Sequence, residues 1–171
     1  IEQYVEMALN YVRAESETTD FLLRRVQLDE VIRACVRKYA RAFVLTKTRL
    51  RFEETQLAVR TDEKWLAFCI EQLLSNALKY AAGGEIIIRA EGEALLIADT
   101  GIGIAAEDLP RAFDKGYTGY NGRADKHATG IGLYLVKKML DKLGHTISLF
   151  SAPGRGTTAR IDLSQREIPF E

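Results

Sequence analysis

The sequence has little of what most constrains a chain: two cysteines, two histidines, three prolines and one tryptophan among 171 residues. Cys35 and Cys69 stand far apart, with no cysteine or histidine at ligand spacing. That speaks against a disulfide framework and a zinc site, and makes reduced, intracellular surroundings the simpler reading. An excess of one charge is also missing, because 24 lysines and arginines balance 24 aspartates and glutamates. No net field therefore draws the molecule onto nucleic acid or an anionic membrane. No apolar run is long enough to span a bilayer, and the opening residues carry neither a basic signal region nor a cleavage site. Scarce proline and only 13 glycines exclude fibrous and low-complexity classes. What remains, with 47% hydrophobic and 28% charged residues, is a soluble folded module of one domain plus a short appendage.

Periodicity divides the chain near residue 20. Ile1, Val5, Ala8 and Val12 form a helical stripe with Tyr4 and Tyr11 beside it, and nothing signals a helix start, so residues 1–16 read as a fragment entered mid-helix. One such helix is marginal in water, so its apolar face needs a partner. A strand is expected over 26–28, a helix capped by Asp29 and running to Phe43, strands over 49–54 and 56–60, and a long helix capped by Asp62 that stops at Gly83-Gly84. Two strands follow over 85–90 and 94–98, joined at Glu91-Gly92-Glu93. Residues 114–129 are polar and without apolar period, which predicts a long functional loop. A helix over 130–143 ends at Gly144, and strands over 146–151 and 157–163 close the chain.

Four segments carry chemistry. In Glu71-Gln72-Leu73-Leu74-Ser75-Asn76-Ala77-Leu78-Lys79-Tyr80, spacings of four and three put Gln72, Asn76 and Lys79 on one helical face. An amide oxygen there can ligate a hard cation, and a lysine one turn on can meet a phosphate; a solvated helix face is the plainer alternative. Asp99-Thr100-Gly101-Ile102-Gly103 follows a buried strand, so Asp99 can accept from an exocyclic amine while the glycines allow close backbone approach. Gly101, Gly103 and Ala106 also satisfy a dinucleotide fingerprint, but Pro110 interrupts the helix that such a site requires. Thr129-Gly130-Ile131-Gly132-Leu133 opens a helix whose free N–H groups can face a polyphosphate, and Gly154-Arg155-Gly156-Thr157-Thr158 is a turn whose threonine can complete a base pocket.

In this order the four segments resemble the N, G1, G2 and G3 boxes of the GHKL (HATPase) ATP-binding superfamily, with Phe113 to Tyr117 resembling the F box. The resemblance covers residues 26–163 and implies a two-layer α/β (α+β) sandwich of Bergerat type, a mixed sheet with about three helices on one face, preceded by an N-terminal helix. It also implies ATP and Mg2+ as cofactors, Asn76 as metal ligand, and Asn76 and Lys79 in the catalytic role. Tyr80, Asp99, Gly101, Gly103, Lys115, Arg123, Gly130, Gly132, Leu133 and Thr157 would bind nucleotide; Lys115, Arg123 and Lys126 lie in the presumed lid, where their charge and location would let them reach the terminal phosphate, a solvated position being the plainer alternative. Gln72 stands where the related hydrolytic ATPases carry a water-activating glutamate, and an amide cannot act as a general base. That favours the catalytic ATP-binding domain of a sensor histidine kinase over a GHKL ATPase or an anti-sigma serine kinase.

The segment 113–123 further resembles small bacterial sensor kinases of envelope stress or peptide antibiotics, some beside an ABC transporter, with one added spacing in the F box. Neither His127 nor His145 sits on a helix beside an acidic neighbour, so neither resembles a phosphoacceptor. Residues 1–20 are expected to be the truncated end of the second helix of a dimerisation and histidine-phosphotransfer domain, and residues 21–171 the catalytic domain. On this resemblance the chain is the cytoplasmic portion of a bacterial inner-membrane sensor, forms a homodimer through its own phosphotransfer domain, and serves a response regulator.

Overall fold

The computed structural model describes residues 2–16, 21–118 and 130–164. Helix α1 (Glu2–Glu15) is followed by β1 (Arg24–Gln27), α2 (Leu28–Lys38), α3 (Ala40–Leu45), β2 (Arg49–Phe52), β3 (Ala58–Thr61) and α4 (Glu63–Tyr80). Then come β4 (Glu85–Glu91), β5 (Ala94–Asp99), a short 3-10 turn at Leu109–Arg111, α5 (Gly132–Lys142), β6 (Thr146–Ser151) and β7 (Thr157–Asp162). Five strands form one mixed sheet in the order β2-β4-β5-β7-β6, with β2 parallel to β4 and the other neighbours antiparallel. The remaining pair, β1 and β3, makes a separate antiparallel ribbon.

Alternation along the strands builds the core. Ile86 and Ile88 pair with Asp99 and Ile97, and Ile97 and Leu95 pair with Ala159 and Ile161, so one sheet face is almost wholly aliphatic. Against it pack α2, α4 and α5. The central helix α4 buries Leu66, Ile70, Leu73, Leu74 and Ala77, a wide stripe that meets both flanking helices. Each fully buried leucine or isoleucine contributes about 1.5–3 kcal/mol through removal from water. The product is a two-layer α+β sandwich with its helices on one face, the architecture the resemblance implies.

Two local expectations change, and a third gains its sheet assignment. Gln27, not Asp29, stands at the N-cap of α2, and its side chain makes no capping bond. Asp29 reaches instead across to the turn before β3, accepting from Thr55 N (2.9 Å), Thr55 Oγ1 (2.7 Å) and Gln56 N (2.9 Å), where Gln56 takes a left-handed φ of 55°. The helix predicted to run on to Phe43 breaks at Tyr39 into α2 and α3. The two strands predicted over 49–60 belong to different sheets, because the inverted turn at Gln56 sends β3 away to pair with β1.

Candidate nucleotide site

Alternation places Asp99 on the helix-facing side of β5, in line with Leu95 and Ile97, half-buried beneath the helical layer. Extending the β5–β7 register sets Thr157 opposite it. Asp99 Oδ1 accepts from Gly101 N at 2.9 Å and Thr157 N at 3.3 Å, whereas Oδ2 has no hydrogen-bond partner among the described residues. Burial pushes this carboxyl above the ordinary aspartate range, and the two N–H donors hold it partly back. The result is a fixed acceptor with one oxygen left to read a donor.

The chain leaving Asp99 is packed backbone on backbone. A Cβ at Gly101 would be driven into the Tyr80 carbonyl, which also accepts from Ile102 N at 3.3 Å, so this loop is stitched to the end of α4. Gly103 (φ 74°) lies against the Ala152 carbonyl. Gly156 (φ 75°) lies against the Asp99 carbonyl, and neither leaves room for a side chain. Ser151 completes the seam: its hydroxyl accepts from Ile104 N (2.7 Å), donates to Gly156 O (2.8 Å) and sits 2.9 Å from Thr157 Oγ1. Backbone does come close at Gly101 and Gly103, as expected of these glycines, but the partner is the chain itself. Gly156 belongs to the turn segment singled out in sequence, but its contact with Asp99 is not legible there, and nothing local marks Ser151.

On α4, Gln72, Asn76 and Lys79 share the face that spacing assigned them. Asn76 is half-buried and forms no hydrogen bond through its side chain with the described residues, while Lys79 is exposed with its ammonium 5.3 Å from the Tyr80 ring centroid. Gln72 Oε1 is 3.0 Å from where a Gly132 Cβ would lie, so the start of α5 rests directly on this face. Gly130 (φ 68°) packs against Gly116, whose N–H donates to Gly130 O at 3.0 Å. Leu133 is half-buried against the core. Lys115 points toward α1, where its ammonium bonds to Tyr11 Oη. Arg123, Lys126 and His127 lie outside the described residues. The dinucleotide alternative fails on geometry, since residues 100–118, directly after β5, hold only turns and the 3-10 segment at Leu109–Arg111.

Residues 61–167 match the family described as histidine kinase-, DNA gyrase B- and HSP90-like ATPases. The chain belongs to this ATPase family. Among the relatives of this family member, the sensor histidine kinase YxdK of Bacillus subtilis is 36% identical over 94% of the chain and 51% of the relative. Sensor protein BceS of Halalkalibacterium halodurans is 35% identical over 90% of the chain and 47% of the relative. The chain thus spans about half the length of these curated relatives. In fold it is similar to full-length ShkA in complex with AMPPNP (TM-score 0.76, 18% identity, 92% of this chain and 34% of that one). It is also similar to the Acinetobacter baumannii histidine kinase AdeS (TM-score 0.73, 20% identity, 96% and 79%). As a member of this ATPase family the chain is an ATP-binding module, and Asp99, Asn76 and the start of α5 all fall inside the matched residues.

Proposed function

We propose that this chain is the ATP-binding catalytic portion of a protein-histidine kinase, acting in a two-component system on a histidine carried elsewhere in the full protein. The observation that carries the reading is Asp99, with Oδ1 fixed by two backbone donors and Oδ2 left open, at the end of a central strand. Adenine presents an exocyclic amine that such an oxygen accepts from, and the stitched glycine loops give the pocket rigid walls. Asn76, on the neighbouring helix face, supplies an amide oxygen of the hard type that magnesium prefers. Among the described residues no three His, Cys, Asp or Glu side chains gather for a metal, so a cation here would draw its other ligands from phosphate and water. Bound magnesium would neutralise charge on the phosphates.

The protein's own residues then have distinct roles. Asp99 and Thr157 orient the base, Gly130, Gly132 and Leu133 border the phosphates at the start of α5, and Lys79 with Tyr80 contacts phosphate or ribose. Lys115 and Arg123 contribute positive charge. The γ-phosphoryl group passes in line to an imidazole nitrogen and afterwards to an aspartate of a response regulator. Gln72 stands on the α4 face beside Gly132 and offers no general base, so water is a poor competitor. Residues 1–20 are the end of a phosphotransfer-domain helix and residues 21–171 the catalytic domain, in the cytoplasmic part of a membrane sensor that works as a homodimer.

Calorimetric titration with ADP and a non-hydrolysable ATP analogue, with and without magnesium, tests this. Asp99→Asn should weaken binding by at least about tenfold, because it removes a charged hydrogen-bond acceptor. Asn76→Ala should abolish the magnesium dependence. A folded wild-type chain without nucleotide affinity would refute the assignment.

A further inference from the structure

Lys115 sits just before the Gly116–Gly130 clamp, in a segment that leads toward the start of α5 and the Gln72–Asn76 face of α4. Its ammonium bonds to Tyr11 Oη and lies 4.7 Å from the Tyr11 ring centroid and 5.7 Å from that of Tyr134. Both partners, Tyr11 and Tyr134, are neutral. The nearby carboxylate, Glu15, is already engaged by Tyr134 Oη and, at 2.9 Å, by Lys138 Nζ. Lys115 is thus an exposed cation with no ion pair among the described residues, held by a phenol and two aromatic faces from α1 and α5. Tyr11 lies outside the residues that match the ATPase family.

We infer that nucleotide phosphate and Tyr11 compete for Lys115, so that occupation of the nucleotide site and docking of α1 oppose each other. This rests on the nucleotide-site reading above. A polyphosphate is a stronger partner for an ammonium than a neutral phenol, because it adds the attraction of full opposite charge to the hydrogen bond that both can accept. Taking Lys115 away from Tyr11 removes a bond that joins α1 to the body of the domain. The Glu15–Lys138 and Lys142–Ser16 contacts remain, so α1 loosens rather than detaches. By linkage, docking of α1 through Tyr11 lowers nucleotide affinity by the same factor by which bound nucleotide weakens that docking.

The test is titration of the whole chain with a non-hydrolysable ATP analogue in four forms: wild type, Tyr11→Phe, Lys115→Met and the double variant. Tyr11→Phe keeps the ring and removes only the hydroxyl, and is expected to tighten binding about threefold to tenfold. In the Lys115→Met background the same change should have no effect, which a merely structural role for Tyr11 would not produce. Hydrogen exchange gives a second readout: the analogue should speed exchange at α1 amides in the wild type and not in Lys115→Met. Equal affinity of wild type and Tyr11→Phe, with binding that still depends on Asp99, would overturn this inference alone. Absence of any binding would overturn it together with the nucleotide site.

Discussion

Asp99 carries two demands that pull against each other. Its raised pKa means that the folded state disfavours the ionised form, chiefly through burial. Stability therefore falls as pH rises through that folded pKa, and Asp99→Asn should raise the melting temperature while it lowers nucleotide affinity. Its neighbour Gly101 fails in a different way. Alanine there would press on the Tyr80 carbonyl, so Gly101→Ala should cost about 1–3 kcal/mol in a urea titration. Gly92 serves as the contrast: it has φ 59° with no atom near a Cβ, and Gly92→Asn should cost about 0.5 kcal/mol or less. These residue types were legible in the sequence. What each glycine touches was not, because the Tyr80, Ala152 and Asp99 carbonyls come from other segments.

Helix α4 positions Gln72, Asn76 and Lys79 on one face, and its start is fixed by Asp62. Oδ1 of this buried carboxylate accepts from Lys64 N (3.1 Å) and Trp65 N (3.2 Å), and Oδ2 accepts from Leu22 N at 2.9 Å. One side chain thus caps the helix and ties down the segment that follows α1. Asp62→Ala should cost about 1–2 kcal/mol, more than a simple cap, and Asp62→Asn should recover much of it. The sole tryptophan, Trp65, packs edge-on to Phe21 with centroids 4.5 Å apart, so its fluorescence reports both events in a denaturant titration. The cap was readable from residue type ahead of an apolar periodic run; the bond to Leu22 joins residues 40 apart in sequence and left no local pattern. Asp29 shows the limit of such signals, since its carboxylate was drawn away to the Thr55–Gln56 turn.

Across the whole molecule, His145 joins the ribbon to the main sheet. It is 4% exposed, its Nε2 lies 2.9 Å from Thr61 Oγ1, and Nδ1 has no partner among the described residues. Burial lowers its pKa below the ordinary histidine value, with Asp162 pulling weakly the other way. An unfolded chain therefore binds this proton more readily. The stability His145 contributes is whole above about pH 6.5 and is lost as pH falls through the lowered folded value. Denaturant midpoints should drop between pH 7.5 and 5, and His145→Gln should flatten that slope; an unchanged slope would show that other groups set it.

Apolar period, a cap such as Asp62 and glycine turns are local and are written in consecutive residues, so most element types were legible in the sequence alone; the sandwich and the candidate site residues were legible only through the resemblance of four ordered segments to a known superfamily. The sequence could not determine that β2 and β3 part company, that α2 stops at Tyr39, that Gly156 and Ser151 build the wall beside Asp99, or that Lys115 faces Tyr11. Those outcomes depend on which distant surfaces meet once the core has closed. Packing against residues far along the chain decides them, and no local pattern records it.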